Sequence, residues 1–480
     1  MVKNSGFPLP PAFEDVDDYL HNLIELYLDS LVQKLAGEVQ ILNFFLGDRD
    51  LLEETVPADW MPFFDECDLD QILDFLIFFR KPETLNPPAS LIDFLSKIQN
   101  LMIDRALPEN IFTANPLSFL QISALSLGMS PKKIHECQYL SSAISAVCRS
   151  VDTPYVIDLG SGKGYLSRTL AHEFDCSVVA VESVKSRTEG AGRLDSLYDT
   201  KGGKRKIEAL DPVFESKGSL MHVEKFVNSG DLSDIVNQSN LDGQKIVLAG
   251  LHTCGNLSHH ALRSLFETDA IHGVVVVGCC YNQMTEKHVD HDDIGFPMSA
   301  KVGSYPISLP ISARMLACQA PATWTKETRE GFFTRHFYRA LLQQIFRDRG
   351  LLEDNKDRIV IGSLRRQWYQ SFSTYCMGAS RRAAASHAHR IIADSSPDIQ
   401  NPFEISEQTA IGYYKSYESK KRRLSILWTL MSCTVAPLTE ALIHLDRYYF
   451  LKESGAREVC VSVIFDQIIS ARNLMVVGIK

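Results

Sequence analysis

Val156-Ile157-Asp158-Leu159-Gly160-Ser161-Gly162-Lys163-Gly164 reads as a buried strand that ends on an acid, turns through alternating glycines and opens a helix. Gly160 can leave the strand with backbone angles that other residues resist. Gly162 and Gly164 lack a Cβ, so a ligand and the following helix can both approach the main chain. Two nucleotide motifs fail here. The dinucleotide fingerprint needs a third glycine where Tyr165 stands. The P-loop needs a glycine at Ile157 and a hydroxyl residue where Gly164 stands.

The acid narrows the ligand further. A pyrophosphate seeks helix-terminal N–H groups and no neighbouring carboxylate. Asp158 would repel it, yet can bond the ammonium of a methionine moiety, directly or through water. Ser177-Val178-Val179-Ala180-Val181-Glu182 is a second apolar run ending on an acid, and Glu182 lies 22 positions after Gly160. In a doubly wound sheet the second strand lies beside the first, and such an acid meets a ribose diol. The cofactor expected is therefore S-adenosylmethionine, contacted by Asp158, Gly160, Ser161, Gly162, Gly164 and Glu182. The plainer alternative is that both acids cap loops or helices.

Working outward, apolar runs predict strands at 155–160, 177–182, 219–223, 245–250 and 272–278, with helical segments between several of them. That alternation is the βαβ pattern of a parallel sheet covered by helices. Residues 310–450 read as mostly helical, and 458–465 and 473–478 as two strands joined by a polar turn. The expected fold is α/β: a seven-stranded, doubly wound, Rossmann-like sheet with a helical insertion after strand five. Residues 1–128 form an α-helical region, with helical spacing over 14–46, a short helix over 68–79 and another from Ser90 to about Leu107. Ser130-Pro131 supplies an N-cap and a first-turn proline for a helix running to Cys148. The expected division is 1–128, a core over 129–305, the insertion over 306–455 and a closing strand pair over 456–480.

Composition excludes several classes. The 480 residues carry a formal charge of −10, which argues against a general nucleic-acid-coating surface. Eleven cysteines in a chain this long do not suit a small disulfide scaffold, and Met1-Val2-Lys3-Asn4 opens no apolar signal core. A reducing compartment, cytoplasmic or nuclear, is expected. Leu424 to Leu445 is the nearest approach to a membrane span, but Pro437, Glu440 and several hydroxyl residues favour a buried helix. The basic run Lys201 to Lys206 reads as a solvated loop with a phosphate contact as its alternative.

Ligands of open parallel sheets sit at the carboxyl ends of the strands. There the fourth strand supplies Gly250-Leu251-His252-Thr253-Cys254-Gly255 and the fifth Gly278-Cys279-Cys280-Tyr281-Asn282. Three readings compete. His252, Cys279, Cys280 and Tyr281 could line an acceptor pocket, with His252 removing a proton and Tyr281 facing a sulfonium. His252, Cys254, Cys279 and Cys280 could bind zinc, although adjacent cysteines do not match the usual ligand spacing, and no metal is the working expectation. Or the cysteines are small buried hydrophobes and His252 a satisfied loop histidine. His135, Glu136 and Asn282 are candidates for substrate binding, His135 and Glu136 having an exposed helix face as the alternative. Phe296-Pro297-Met298-Ser299 is either a substrate rim or a plain turn.

Taken together, MSPKKIHE (129–136), DLGSGKGYLS (158–167), GLHTCG (250–255), CCYN (279–282), FPMS (296–299), APLTEALIHLDR (436–447) and the ending FDQIISARNLMVVGIK resemble the methyltransferase-like 25 family. That family includes a relative named for a ribosomal RNA adenine dimethylase domain. The resemblance implies a class I methyltransferase fold using S-adenosylmethionine, with RNA or protein as acceptor. Amino-methylating nucleic-acid enzymes usually place Asn/Asp-Pro-Pro-Tyr/Phe after the fourth strand. Here His252-Thr253-Cys254-Gly255 stands there, which argues against adenine N6 dimethylation. The rival expectations are a non-catalytic scaffold that keeps the fold and a Cys/His metal-binding protein.

Overall fold

The computed structural model describes residues 6–45, 50–80, 85–107, 124–199, 218–287, 294–352, 359–386 and 401–480. The basic run 201–206 lies outside them. Five parallel strands, β1 (Tyr155–Leu159), β2 (Ser177–Glu182), β3 (Ser219–Glu224), β4 (Ile246–Thr253) and β5 (Ile271–Gly278), are joined by an antiparallel pair, β6 (Glu458–Val463) and β7 (Leu474–Ile479). Their order in the sheet is β3-β2-β1-β4-β5-β7-β6. The expected seven-stranded α/β sheet is thus present, with its last two strands supplied from the far end of the chain.

Burial explains the strand sequences. The inner strands β1, β4 and β5 are covered on both faces and are almost uniformly apolar and buried. At the β3 edge, exposed and half-buried residues alternate instead. The other edge, β6, is partly paired: Val461 N–H donates to the Gly6 carbonyl at 2.8 Å, which blunts an open strand edge. The helix Pro131–Ser150 starts where Ser130 Oγ accepts the Lys133 N–H. It buries Cys137, Leu140, Ile144 and Val147 in a cluster that includes Val156, Val178, Val247 and Val275 of the sheet. Each fully buried Leu, Ile or Val stabilises the fold by about 1.5–3 kcal/mol relative to exposure.

Two compact units divide the chain, and each draws on more than one of the four expected stretches. The first comprises Met1–Leu28, Asn100–Gln319 and Ala436–Lys480, and contains the sheet. The second comprises Asp29–Gln99 and Ala320–Val435, and its described secondary structure is helical. Within the second unit Trp324 stacks on Trp428 with ring centroids 5.2 Å apart, and Arg423 pairs with Asp65 at 2.8 Å and with Asp50.

Two helical expectations need adjustment. The periodic stretch 14–46 is not one helix. Val16–Tyr27 ends, and the Asp29 carboxylate then accepts the Leu31 and Val32 N–H groups, starting the separate turn Ser30–Gln33. A side-chain cap of this kind competes with helix continuation. The helix expected to reach Leu107 stops at Asn100. Helix Lys421–Glu453 runs through Pro437. The stretch Glu407–Glu453 is long and apolar enough to cross a membrane by length and composition, but 94% of its apolar window is buried inside the protein.

Candidate functional site

The glycine turn is tied to β2 from beneath. Gly160 N–H and Ser161 N–H both donate to the Val181 carbonyl, at 2.9 and 3.0 Å. Gly160, Gly162 and Gly164 have φ of +71°, +60° and +70°, the left-handed region that side chains disfavour. Gly162 N–H donates to Glu182 Oε2 at 3.0 Å, and Val184 N–H to Glu182 Oε1 at 2.9 Å. Glu182 is therefore a buried brace between the turn and the end of β2. Asp158 is only 1% exposed and accepts from Ser167 Oγ at 2.5 Å; burial pushes its pKa up to about 7. Its carboxyl ties the end of β1 to the helix that follows the turn, through Ser167.

Two features of the turn fit a ligand. Ser161 Oγ is buried and has no hydrogen-bond partner among the described residues. A Cβ built on Gly162 would meet nothing closer than the Gly160 carbonyl oxygen, at 4.0 Å. The turn thus has an unsatisfied polar atom and open space beside it.

At the neighbouring strand ends, β4 breaks register with β5 between Leu251 and Thr253, and His252 adopts φ +64°. Such irregularities re-aim a side chain, and a non-glycine residue in this region stores strain. His252 Nε2 lies 3.0 Å from Glu136 Oε2. Glu136 is fully buried and also accepts from Lys133 Nζ at 2.7 Å and Ser470 Oγ at 2.8 Å. Burial pushes its pKa up, but the His252 hydrogen bond and the Lys133 charge outweigh it and hold the group well below the ordinary carboxylate range. With Nε2–H donating to a carboxylate, neutral His252 presents Nδ1 as its proton-accepting atom.

His135 does different work from its neighbour. Its Nε2 accepts the Asp466 N–H at 3.0 Å and its ring lies against Tyr139, so it fastens the turn between β6 and β7. Burial lowers its pKa, and the accepting Nε2 requires the neutral ring.

The three cysteines do converge. Cys254 Sγ lies 3.3 Å from Cys279 Sγ and 3.1 Å from Cys280 Sγ, which are 3.4 Å from each other. Hydrogen bonds from the Cys254 and Cys279 thiols lower the Cys280 pKa, while those that Cys279 makes with Cys254 and Cys280 raise its own. His252 is engaged with Glu136 instead of completing a four-ligand set.

Tyr281 does not face an open acceptor pocket. It is 1% exposed, and its hydroxyl donates to Glu440 Oε1 at 2.9 Å. The chain enters a 3-10 turn at Tyr281–Gln283, which carries the ring inward toward His444. Asn282 is half-buried and its Oδ1 accepts from the Cys318 thiol at 3.4 Å. The Phe296–Ser299 segment is held by Asp446, which accepts the Met298 and Ser299 N–H groups at 2.8 and 2.9 Å. The sequence alone assigns no site role to Glu440, Asp446, Arg447 or Ser470. The signal for the first three lay in the APLTEALIHLDR stretch, where charged residues interrupt an apolar helix.

Comparison with known proteins fits this geometry. A family model described as a methyltransferase domain matches residues 132–287, from Glu136 and its lysines through β5 and the cysteine pair. A "Probable methyltransferase-like protein 25" of Homo sapiens is 25% identical, over 73% of this chain and 75% of that protein. The Mus musculus protein of the same name is 22% identical over the same shares. The resemblance carried by the motifs therefore holds across most of both proteins: the chain is a relative of the methyltransferase-like 25 proteins, built around a methyltransferase domain.

Proposed function

We propose that this methyltransferase uses S-adenosylmethionine as donor, held at the Gly160–Gly164 turn, and methylates a macromolecule, RNA or protein, in the cell interior. The observation that carries the reading is the turn itself: three left-handed glycines, a buried Ser161 hydroxyl lacking a partner and open space at Gly162. In this reading Glu182, which braces the turn, serves the ribose side, and the buried Asp158 acts on the ammonium side through water. Interior placement is supported by eleven cysteines that are all free.

The bound donor supplies an electrophilic methyl group, and the chain's task is alignment, exclusion of water and proton handling. We assign the last of these to His252. Its Nδ1 takes the proton that an acceptor O–H, N–H or S–H loses, and the imidazolium that forms is stabilised by Glu136 through Nε2–H. The β4 irregularity orients the ring for this, and Lys133 and Ser470 keep the Glu136 carboxylate fixed.

Calorimetry with S-adenosylhomocysteine tests the donor. Micromolar binding that Gly162→Arg abolishes supports the reading, and no binding to wild type overturns it. Label transfer from radioactive donor into an extract, followed by separate nuclease and protease digestion, identifies the acceptor class. Donor binding without label transfer into either macromolecule would favour the scaffold alternative.

A further inference from the structure

We infer that Cys254, Cys279 and Cys280 form a three-thiolate site for a thiophilic metal ion, Zn²⁺ in the first instance, at the ends of β4 and β5. Among the described residues this is the only group of three metal-ligating side chains whose donor atoms all lie within 4.8 Å of one another. It shares no residue with the glycine turn and does not depend on donor binding.

The backbone brings the thiols together. Adjacent residues of a strand point to opposite faces, so Cys279 and Cys280 would diverge if β5 continued. The strand ends at Gly278, and Cys280 takes φ −106° and ψ 69°, outside the extended range, which turns its side chain toward the same side. Gly255 N–H donates to the Cys280 carbonyl at 3.2 Å, locking the Cys254 loop against the Cys279-Cys280 loop. The left-handed Gly255, with φ +56°, admits this approach: a Cβ there would come 2.8 Å from the Gln283 main chain. Sulfurs now 3.1–3.4 Å apart need only small side-chain rotations to surround an ion. With Zn–S bonds of about 2.3 Å a tetrahedral site separates its sulfurs by roughly 3.8 Å.

Charge supplies a second, independent observation. Three thiolates around a divalent ion leave one net negative charge. Arg447 is 2% exposed, and its Nη1 has no hydrogen-bond partner among the described residues. That nitrogen lies 2.8 Å from where a Cβ on Gly278 would sit, beside the cysteine pair. The guanidinium is attracted by the Asp446 and Glu440 charges and lies 5.8 Å from the Tyr281 ring centroid, and an anionic metal–thiolate centre at the end of β5 gives its free Nη1 a further counter-charge. All three cysteines are half-buried, so the fourth coordination position remains reachable by water or by a donor atom of a substrate.

The test uses the full-length chain purified under reductant without oxygen. Metal analysis is expected to give about one zinc per chain. Cobalt replacement is expected to produce a sulfur-to-metal charge-transfer band. Zinc is expected to protect Cys254, Cys279 and Cys280 from alkylation, mapped by mass spectrometry, while Cys318 is unprotected. Cys280→Ala is expected to weaken zinc binding at least 10²-fold, and Cys460→Ala to leave it unchanged. Should Cys280→Ala fail to fold, the protection map on wild type decides alone. Substoichiometric zinc with no protection of these thiols overturns the inference, as does a Cys254–Cys280 disulfide that, once reduced, takes up no ion. Zinc binding in a chain that fails to bind S-adenosylhomocysteine would leave this inference standing and remove the donor reading.

Discussion

His252 Nε2 and Glu136 Oε2 stand 3.0 Å apart although 116 positions separate them in the chain. One residue comes from the first turns of the helix that leads into β1, the other from an irregular end of β4. Lys133 and Ser470 fix the carboxylate, and the carboxylate fixes the ring. If His252 handles the acceptor proton, Glu136 is a positioning residue. Glu136→Gln is expected to lower kcat roughly 10²-fold with donor affinity and KM nearly unchanged, and Glu136→Asp to recover part of it. Equal losses in kcat and donor affinity would show that Glu136 only holds the fold.

Ser161 separates ligand binding from stability. Its buried hydroxyl has no partner among the described residues, so its removal takes away a desolvated group and costs the ligand-free protein nothing. Ser161→Ala is expected to keep ligand-free stability within about 0.5 kcal/mol. It is expected to weaken S-adenosylhomocysteine by about 0.5–1.5 kcal/mol, a few-fold to tenfold in Kd. Denaturation and calorimetry on the same sample check both halves. Unaltered donor affinity would place the ligand away from the turn.

Glu440 is a structural anchor. Its buried carboxylate accepts from Tyr281 and Arg472, both at 2.9 Å, and pairs with Arg105. Burial raises its pKa, but the two guanidinium groups outweigh that and bring it down to about 2. A lowered folded-state pKa contributes stability above the ordinary 4.5 and loses it as pH falls through about 2. Glu440→Gln leaves buried cations without their counter-charge and is expected to cost about 3–5 kcal/mol at pH 7. Urea unfolding is expected to show this gap narrowing below pH 4.5. A gap that persists in acid would assign the loss to packing instead.

What was legible in the sequence was local. β1 and β2 declare themselves because strands buried on both faces must be apolar throughout, and the turn does because three left-handed angles require glycine. β4 is longer than its apolar run suggests, since Thr253 resumes pairing with Gly278 after the irregularity at His252. Nothing in a one-dimensional pattern announces that skip. The Glu136–His252 pair depends on how one helix sits along one strand, and the cysteine cluster on backbone angles after β5. Tyr281 looked like a pocket residue because it follows the strand end. Its inward course is set by Glu440, which arrives 159 residues later.

Asp158 gives the prediction with the opposite sign to Glu440. Its carboxyl is buried against Ser167, and burial raises its pKa from 3.8 to about 7. A group held neutral by the fold contributes stability that is complete below 3.8 and is lost as pH rises through about 7. Asp158→Asn keeps a Ser167 partner and removes the titration. Wild type is therefore expected to lose stability relative to the variant between pH 4 and 8, with a slope approaching about 1.4 kcal/mol per unit. The same group links to the donor, because a bound cation favours the carboxylate. S-adenosylhomocysteine binding is then expected to release a proton and to tighten as pH rises from 5.5 to 7. Calorimetry in buffers of different ionisation enthalpy measures that proton. Asp158→Asn should abolish its release, and a wild-type heat that is independent of buffer would mean that Asp158 does not sense the donor.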